Sequence, residues 1–246
     1  MAQDLVAGIH AAEEQETTRR NAPEKVRVIL IAHSAGGTLS QYALSRSLVT
    51  VHGFCMAAAI PAFGSASVYS FWSLSAPFHF PYRLFHPRYI LASTAQIHAA
   101  FFSPSTPVPV VRRLEKLLSP YESMLWPLQT MFRFVTGPDV LSSITARATG
   151  VTPRILVLAA EKDVLCRPDI LLHAAQRYRA AFRELVLRGK VDGVSEAEIS
   201  GKGDVEQGVY RDGVGYKVVK GLGHHLQNHE GWESGAEEIL EWVERI

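Results

Sequence analysis

An almost unbroken apolar run, Val26-Arg27-Val28-Ile29-Leu30-Ile31-Ala32, leads directly into His33-Ser34-Ala35-Gly36-Gly37. A run of this kind fits a strand buried on both faces of a parallel sheet. Small residues two before and two after Ser34 let the backbone turn sharply from strand into helix. Such a turn lifts a serine hydroxyl above the sheet, where a substrate can reach it. The motif therefore constrains both architecture and chemistry. The competing reading is a plain helix N-cap serine, which needs only a helix to follow.

The remaining chain agrees with an alternation of strands and helices. A first helix is expected over residues 2–19, with Leu5, Ile9 and Ala12 on one face, broken by Asn21-Ala22-Pro23. The strand before Ser34 spans Lys25 to Ala32, the helix after it runs from Gly37 to about Ser47, and Val51 to Ile60 reads as a second apolar strand. Arg154 to Ala160 is a third strand, followed by a helix from Pro168 to Val186. Arg188 to Asp212 is polar, glycine-rich and without periodicity, and reads as a mobile excursion. Tyr216 to Val219 is the last strand. A closing amphipathic helix over Trp232 to Ile246 should bury Trp232, Ala236, Ile239, Leu240 and Val243. Alternation of this kind implies an α/β fold, a parallel sheet with helices on both faces.

Three regions follow from this texture: core from 1 to 60, an insert from 61 to 150, and core again from 151 to 246. The insert holds Tyr69-Ser70-Phe71-Trp72 and Pro77-Phe78-His79-Phe80-Pro81-Tyr82, with short helices expected at Ala92–Phe101, Val110–Leu118 and Tyr121–Val135. It is read as a mostly helical cap whose aromatic side lines an apolar pocket, as against plain additional core. His33, Phe71 and Trp72 are the candidate pocket residues.

Composition narrows the partners. The 246 residues are 47% hydrophobic and 20% charged, with a formal charge of +1, so nothing electrostatic points to nucleic acid or an anionic membrane. No segment approaches the roughly 20 apolar residues of a membrane span. Leu5-Val6-Ala7-Gly8-Ile9 is too short for the apolar part of a signal peptide and follows Asp4. A soluble, cytoplasmic protein is the expectation. Two cysteines make no disulfide framework: Cys55 is expected in the core, Cys166 free and partly exposed.

Serine is a weak nucleophile without a base, and the base needs an orienting carboxylate. In a doubly wound sheet all three belong at the carboxyl ends of strands. Asp163 follows the third strand, with Glu161 as its main rival and Asp139, in the insert, a distant one. His224 follows the last strand after Gly221-Leu222-Gly223, with His225 as its rival. The backbone N–H of Ala35 is the candidate oxyanion donor. A metal site from His224, His225 and His229 is disfavoured: adjacent histidines point apart, and no carboxylate or cysteine completes it. No cofactor is called for.

With these positions in place the chain resembles the α/β-hydrolase superfamily, through Ala32-His33-Ser34-Ala35-Gly36-Gly37, Ala160-Glu161-Lys162-Asp163 and Gly221-Leu222-Gly223-His224-His225-Leu226. Ala32 stands where the family's nucleophile motif usually has Gly. The resemblance implies Ser34 as nucleophile, Asp163 as acid and His224 as base of a serine hydrolase acting on an apolar ester-like small molecule. Members carry several strands before the nucleophile strand, and a loop among them gives a second oxyanion N–H. Here the expectation is a partial fold without those strands, its nucleophile strand at an exposed edge. Loss of one oxyanion donor costs about 10²–10³ in rate. The alternatives are a non-catalytic remnant or interaction protein on the same fold, and a lipid-surface role for the aromatic insert.

Overall fold

The computed structural model describes residues 1–64, 67–68, 91, 93–119, 130–146, 154–199 and 208–246. Five strands form one sheet: β1 (Ile29–His33), β2 (Gly53–Ala57), β3 (Ile155–Ala160), β4 (Tyr210–Arg211) and β5 (Val214–Val219). Their spatial order is β1-β2-β3-β5-β4. β1, β2, β3 and β5 run parallel, and β4 pairs antiparallel with β5.

Seven helices surround the sheet among the described residues: α1 (Ala2–Arg20), α2 (Ala35–Ser45), α3 (Thr94–Phe101), α4 (Val108–Glu115), α5 (Gly137–Ser142), α6 (Pro168–Leu187) and α7 (Glu233–Val243). Alternation along β3 sorts its side chains into two cores. Ile155, Val157 and Ala159 join Phe54, Met56, Leu44, Tyr178 and Phe182 on the α2 and α6 side. Leu156, Leu158 and Ala160 join Cys55, Ala57 and Trp242 on the α7 side. All six residues of β3 are buried, as a parallel strand covered on both faces requires.

Several expectations are corrected. In α1 Ile9 is buried and Leu5 half-buried, but Ala12 is exposed, and the covered stripe continues through Glu13 and Glu16 instead. In α7 the phase of the buried face differs from the expected one: Trp232 and Leu240 are exposed, while Trp242 is completely buried against the sheet. α2 buries polar as well as apolar residues, Thr38, Ser40 and Gln41 among them. Gln41 is fully buried, with Nε2 donating to the carbonyls of Gly37 and Ile60 and Oε1 accepting from the Ala62 N–H and the Tyr178 hydroxyl. Both donors and both lone pairs of the amide are used, so its burial carries no unsatisfied group.

Residues 200–207 of the expected excursion lie outside the described residues, and the parts on either side carry more local structure than their polarity suggests. Ser195 and Glu198 form a capping box around a short turn, and β4 and β5 make a hairpin through Asp212-Gly213, both at positive φ. Asp212 is buried and receives Nε of Arg179 and of Arg183, each at 2.7 Å, which ties the hairpin to α6. Two-residue β4 is too short to show alternation in sequence. Cys166 is fully buried, against the expected partial exposure, because the chain after Asp163 folds inward around the carboxylate. The expected helix Tyr121–Val135 falls largely outside the described residues. From Met131 onward it is turn and extended chain, with Phe63 bridging Arg133. No described helix is long and apolar enough to cross a membrane.

Candidate active site

Ser34 sits between β1 and α2 with φ 51° and ψ −125°, a conformation that a non-glycine residue holds only when its surroundings impose it. Two donors fix its carbonyl: the Gly37 N–H at 3.0 Å and the Ile60 N–H at 2.9 Å. Gly37 permits this approach, because a Cβ there would stand 2.3 Å from Cβ of Ala59. Gly36, by contrast, faces open space. Ala35 is the first residue of α2, so its N–H belongs to the helix turn that lacks intrahelical acceptors.

Asp163 lies just beyond β3 and is 4% exposed. Its Oδ1 accepts the N–H groups of Leu165 and Cys166 at 2.8 and 3.0 Å. That leaves Oδ2 aimed at His224, whose Nδ1 lies 2.8 Å away. His224, 1% exposed, places Nε2 2.8 Å from Ser34 Oγ. The consistent proton arrangement has Nδ1–H donating to Asp163 and the Ser34 hydroxyl donating to Nε2. The structure thus brings Ser34, His224 and Asp163 into one hydrogen-bonded chain at the carboxyl ends of β1, β5 and β3.

The rivals are occupied elsewhere. Glu161 is exposed and accepts the Gly221 N–H at 2.9 Å. Asp139 is bonded to Thr136 at the start of α5. His225 packs between Phe101, Phe102 and His33, its Nδ1 2.7 Å from the Asn228 amide nitrogen. Of the expected pocket residues, Phe71 and Trp72 lie outside the described residues. His33 is half-buried and turned to the loop after β5, its Nε2–H donating to the His224 carbonyl at 2.8 Å. Burial is the main reason the His33 imidazole titrates far below its usual range, near about 4, and the neighbouring His224 adds to it.

Side chains that sequence reasoning missed complete the site. Phe101, at the end of α3, stacks on the His224 ring with centroids 5.6 Å apart. His229 and Thr106 reach the loop that carries His224. The sequence singles out His229 only within a disfavoured metal cluster. Among the described residues the group suited to an ion is instead Asp163, Cys166 and His224, whose donor atoms lie within 4.8 Å of one another. An ion there would have to displace the Asp163–His224 bond and the backbone donors on Oδ1. The donor set therefore suits a hydrogen-bonded chain better than a metal.

The architecture has counterparts among solved structures. An esterase from Thermogutta terrifontis matches with 15% identity and a TM-score of 0.53, over 89% of this chain and 65% of that one. An esterase from Exiguobacterium antarcticum, EaEST, matches with 15% identity and a TM-score of 0.57, over 99% of this chain and 74% of that one. A monoacylglycerol lipase from Paleococcus ferrophilus matches with 16% identity and a TM-score of 0.51, over 99% of this chain and 75% of that one. At such identities the likeness is one of fold, and the chain spans 65% of the length of the Thermogutta protein. No curated protein matches the sequence. The family model described as "Alpha/beta hydrolase family" matches residues 2–231. Matched by that model over nearly its whole length, with a mostly parallel sheet flanked by helices, the chain belongs to the alpha/beta hydrolase family.

Proposed function

We propose that this chain is a serine hydrolase that cleaves an ester bond of an apolar small molecule through an acyl-enzyme. The observation that carries the reading is the continuous chain from Ser34 Oγ through His224 to Asp163, with both contacts at 2.8 Å. His224 Nε2 takes the hydroxyl proton as Ser34 Oγ attacks the ester carbonyl carbon. The carbonyl π pair moves onto oxygen, which the Ala35 N–H meets. Collapse expels the alcohol, which leaves with the proton held on His224. A water then gives its proton to His224 and attacks the acyl carbon, and the acid departs as Ser34 recovers its hydrogen. Asp163 holds the ring in the required tautomer and stabilises its cation. In this reading residues 1–60 and 151–246 form the catalytic core and 61–150 a cap, from which Phe101 covers the base.

Pre-steady-state hydrolysis of p-nitrophenyl esters of increasing acyl length tests the proposal. The expected result is a nitrophenol burst followed by slower turnover, both absent in Ser34→Ala. Equal hydrolysis by both proteins contradicts it. The non-catalytic reading rests on one observation, the edge position of β1 with Ile31 half exposed. It predicts no burst from the folded wild-type chain.

A further inference from the structure

The segment that carries His224 is gripped at consecutive peptide groups. It leaves β5, turns at Gly221 (φ 76°), and lies against the end of α3. A Cβ on Gly223 would stand 2.7 Å from the Phe102 carbonyl carbon and 2.8 Å from the Ser103 nitrogen, both backbone atoms with no room to yield. On the far side of His224, the His225 N–H donates to the Phe101 carbonyl at 2.9 Å, and the His224 carbonyl receives His33 Nε2–H at 2.8 Å. The Gly223 N–H is held differently. It donates to Nε2 of His229 at 3.0 Å, a side chain from the end of the same loop.

That contact fixes a tautomer. Nε2 accepts only when the ring proton is on Nδ1. Nδ1 faces Thr106 Oγ1 at 3.4 Å, and Thr106 in turn contacts Ser103 Oγ at 3.0 Å. The Ser103 carbonyl is met by His98 Nε2 at 3.0 Å. The titratable groups around His229 are His98 from α3 and His225 from its own loop, with Arg113 of α4, Glu230 and Glu233 lining the cleft it borders.

We propose that His229 is a positioning residue: as a neutral, Nδ1-protonated imidazole it clamps the Gly223 amide and thereby sets the aim of the His224 ring between Asp163 and Ser34. The proposal rests on the hydrolase reading for its kinetic consequence, but the clamp itself is a property of the folded loop. Burial lowers the pKa of the His229 ring from its usual range and so favours the neutral form, with the Phe101 backbone opposing the effect and His98 adding to it. The ring touches no reacting atom, so its effect is on orientation, where a displacement of about 1 Å can cost roughly 10² in rate.

His229→Leu removes the acceptor at similar bulk. His229→Gln returns one, because its amide oxygen reaches about as far from Cα as Nε2 does. Two readouts separate the clamp from the chemistry. Amide hydrogen exchange at Gly223 should be slow in wild type and in His229→Gln, and fast in His229→Leu. Hydrolysis of p-nitrophenyl acetate should show kcat reduced by roughly 10² in His229→Leu with KM unmoved, and kcat largely recovered in His229→Gln. Should the Leu variant fail to fold, Thr106→Val, which removes the Nδ1 partner, should accelerate Gly223 exchange to a smaller degree. Fast Gly223 exchange in wild type, or a Gln variant no better protected than Leu, overturns the clamp. Protected Gly223 in a wild-type chain without esterase activity overturns the hydrolase reading and leaves the clamp standing.

Discussion

β3 and β1 stand two places apart in one sheet and meet water very differently. Every residue of β3 is buried, whereas in β1 only Ala32 is, and Ile31 is 51% exposed. The two faces of β3 are covered by α6 and α7, while β1 is one of the two sheet edges among the described residues, β4 being the other. The candidate acid therefore follows a fully buried inner strand and the candidate nucleophile a partly exposed edge strand. Burial of the strand is not what holds the elbow. Its carbonyl is pinned by Gly37 and Ile60, and Gln41 ties α2 to Ile60, Ala62 and Tyr178. His33 links it across to the His224 carbonyl. Side-chain and backbone hydrogen bonds do at the edge what apolar burial does in the middle.

The comparison is open to attack from the buried side first. Asp163→Asn keeps an oxygen for the Leu165 and Cys166 N–H groups but no longer enforces the His224 tautomer, and kcat for ester hydrolysis should fall by about 10⁴. A loss under about tenfold would separate Asp163 from the chemistry. Next, the two strands should answer truncation unequally. Leu158→Ala in β3 should cost about 2–5 kcal/mol in urea unfolding, and Ile31→Ala in β1 no more than about 0.5–1 kcal/mol. Equal costs would mean that the edge is as covered as the centre.

Acid should then act on the histidines that bridge the two sides. Burial, before all else, holds His33 down to about 4 and His225 down to about 3. In the unfolded chain each titrates near about 6.5. Between those values the unfolded chain binds protons that the folded one refuses, so stability is full above about pH 6.5 and declines as pH falls. The slope is at most about 1.4 kcal/mol per pH unit for each ring. The urea midpoint should therefore drop between pH 7 and pH 5. A midpoint that stays level or rises would place these rings in water.

Much of this was legible in the chain. The apolar runs located four strands to within a few residues, since buried parallel strands leave continuous signals. Ser34, Asp163 and His224 stood out because each follows such a run. The helix faces were harder: α2 buries Gln41 and Thr38, and no apolar stripe announces a polar residue whose partners lie across the fold. Burial of Cys166 follows from the turn around Asp163. The His229–Gly223 contact and Phe101 over His224 join segments more than a hundred residues apart or depend on a loop's path, which periodicity does not encode.

The central claim is that Ser34 is the activated nucleophile of this site, and covalent labelling tests it most directly. Treating the chain with a fluorophosphonate and locating the adduct by mass spectrometry should yield one modified residue, Ser34, with labelling abolished in Ser34→Ala and strongly slowed in His224→Ala. An adduct on another residue, or equal labelling of the wild-type and Ser34→Ala chains, would contradict the account.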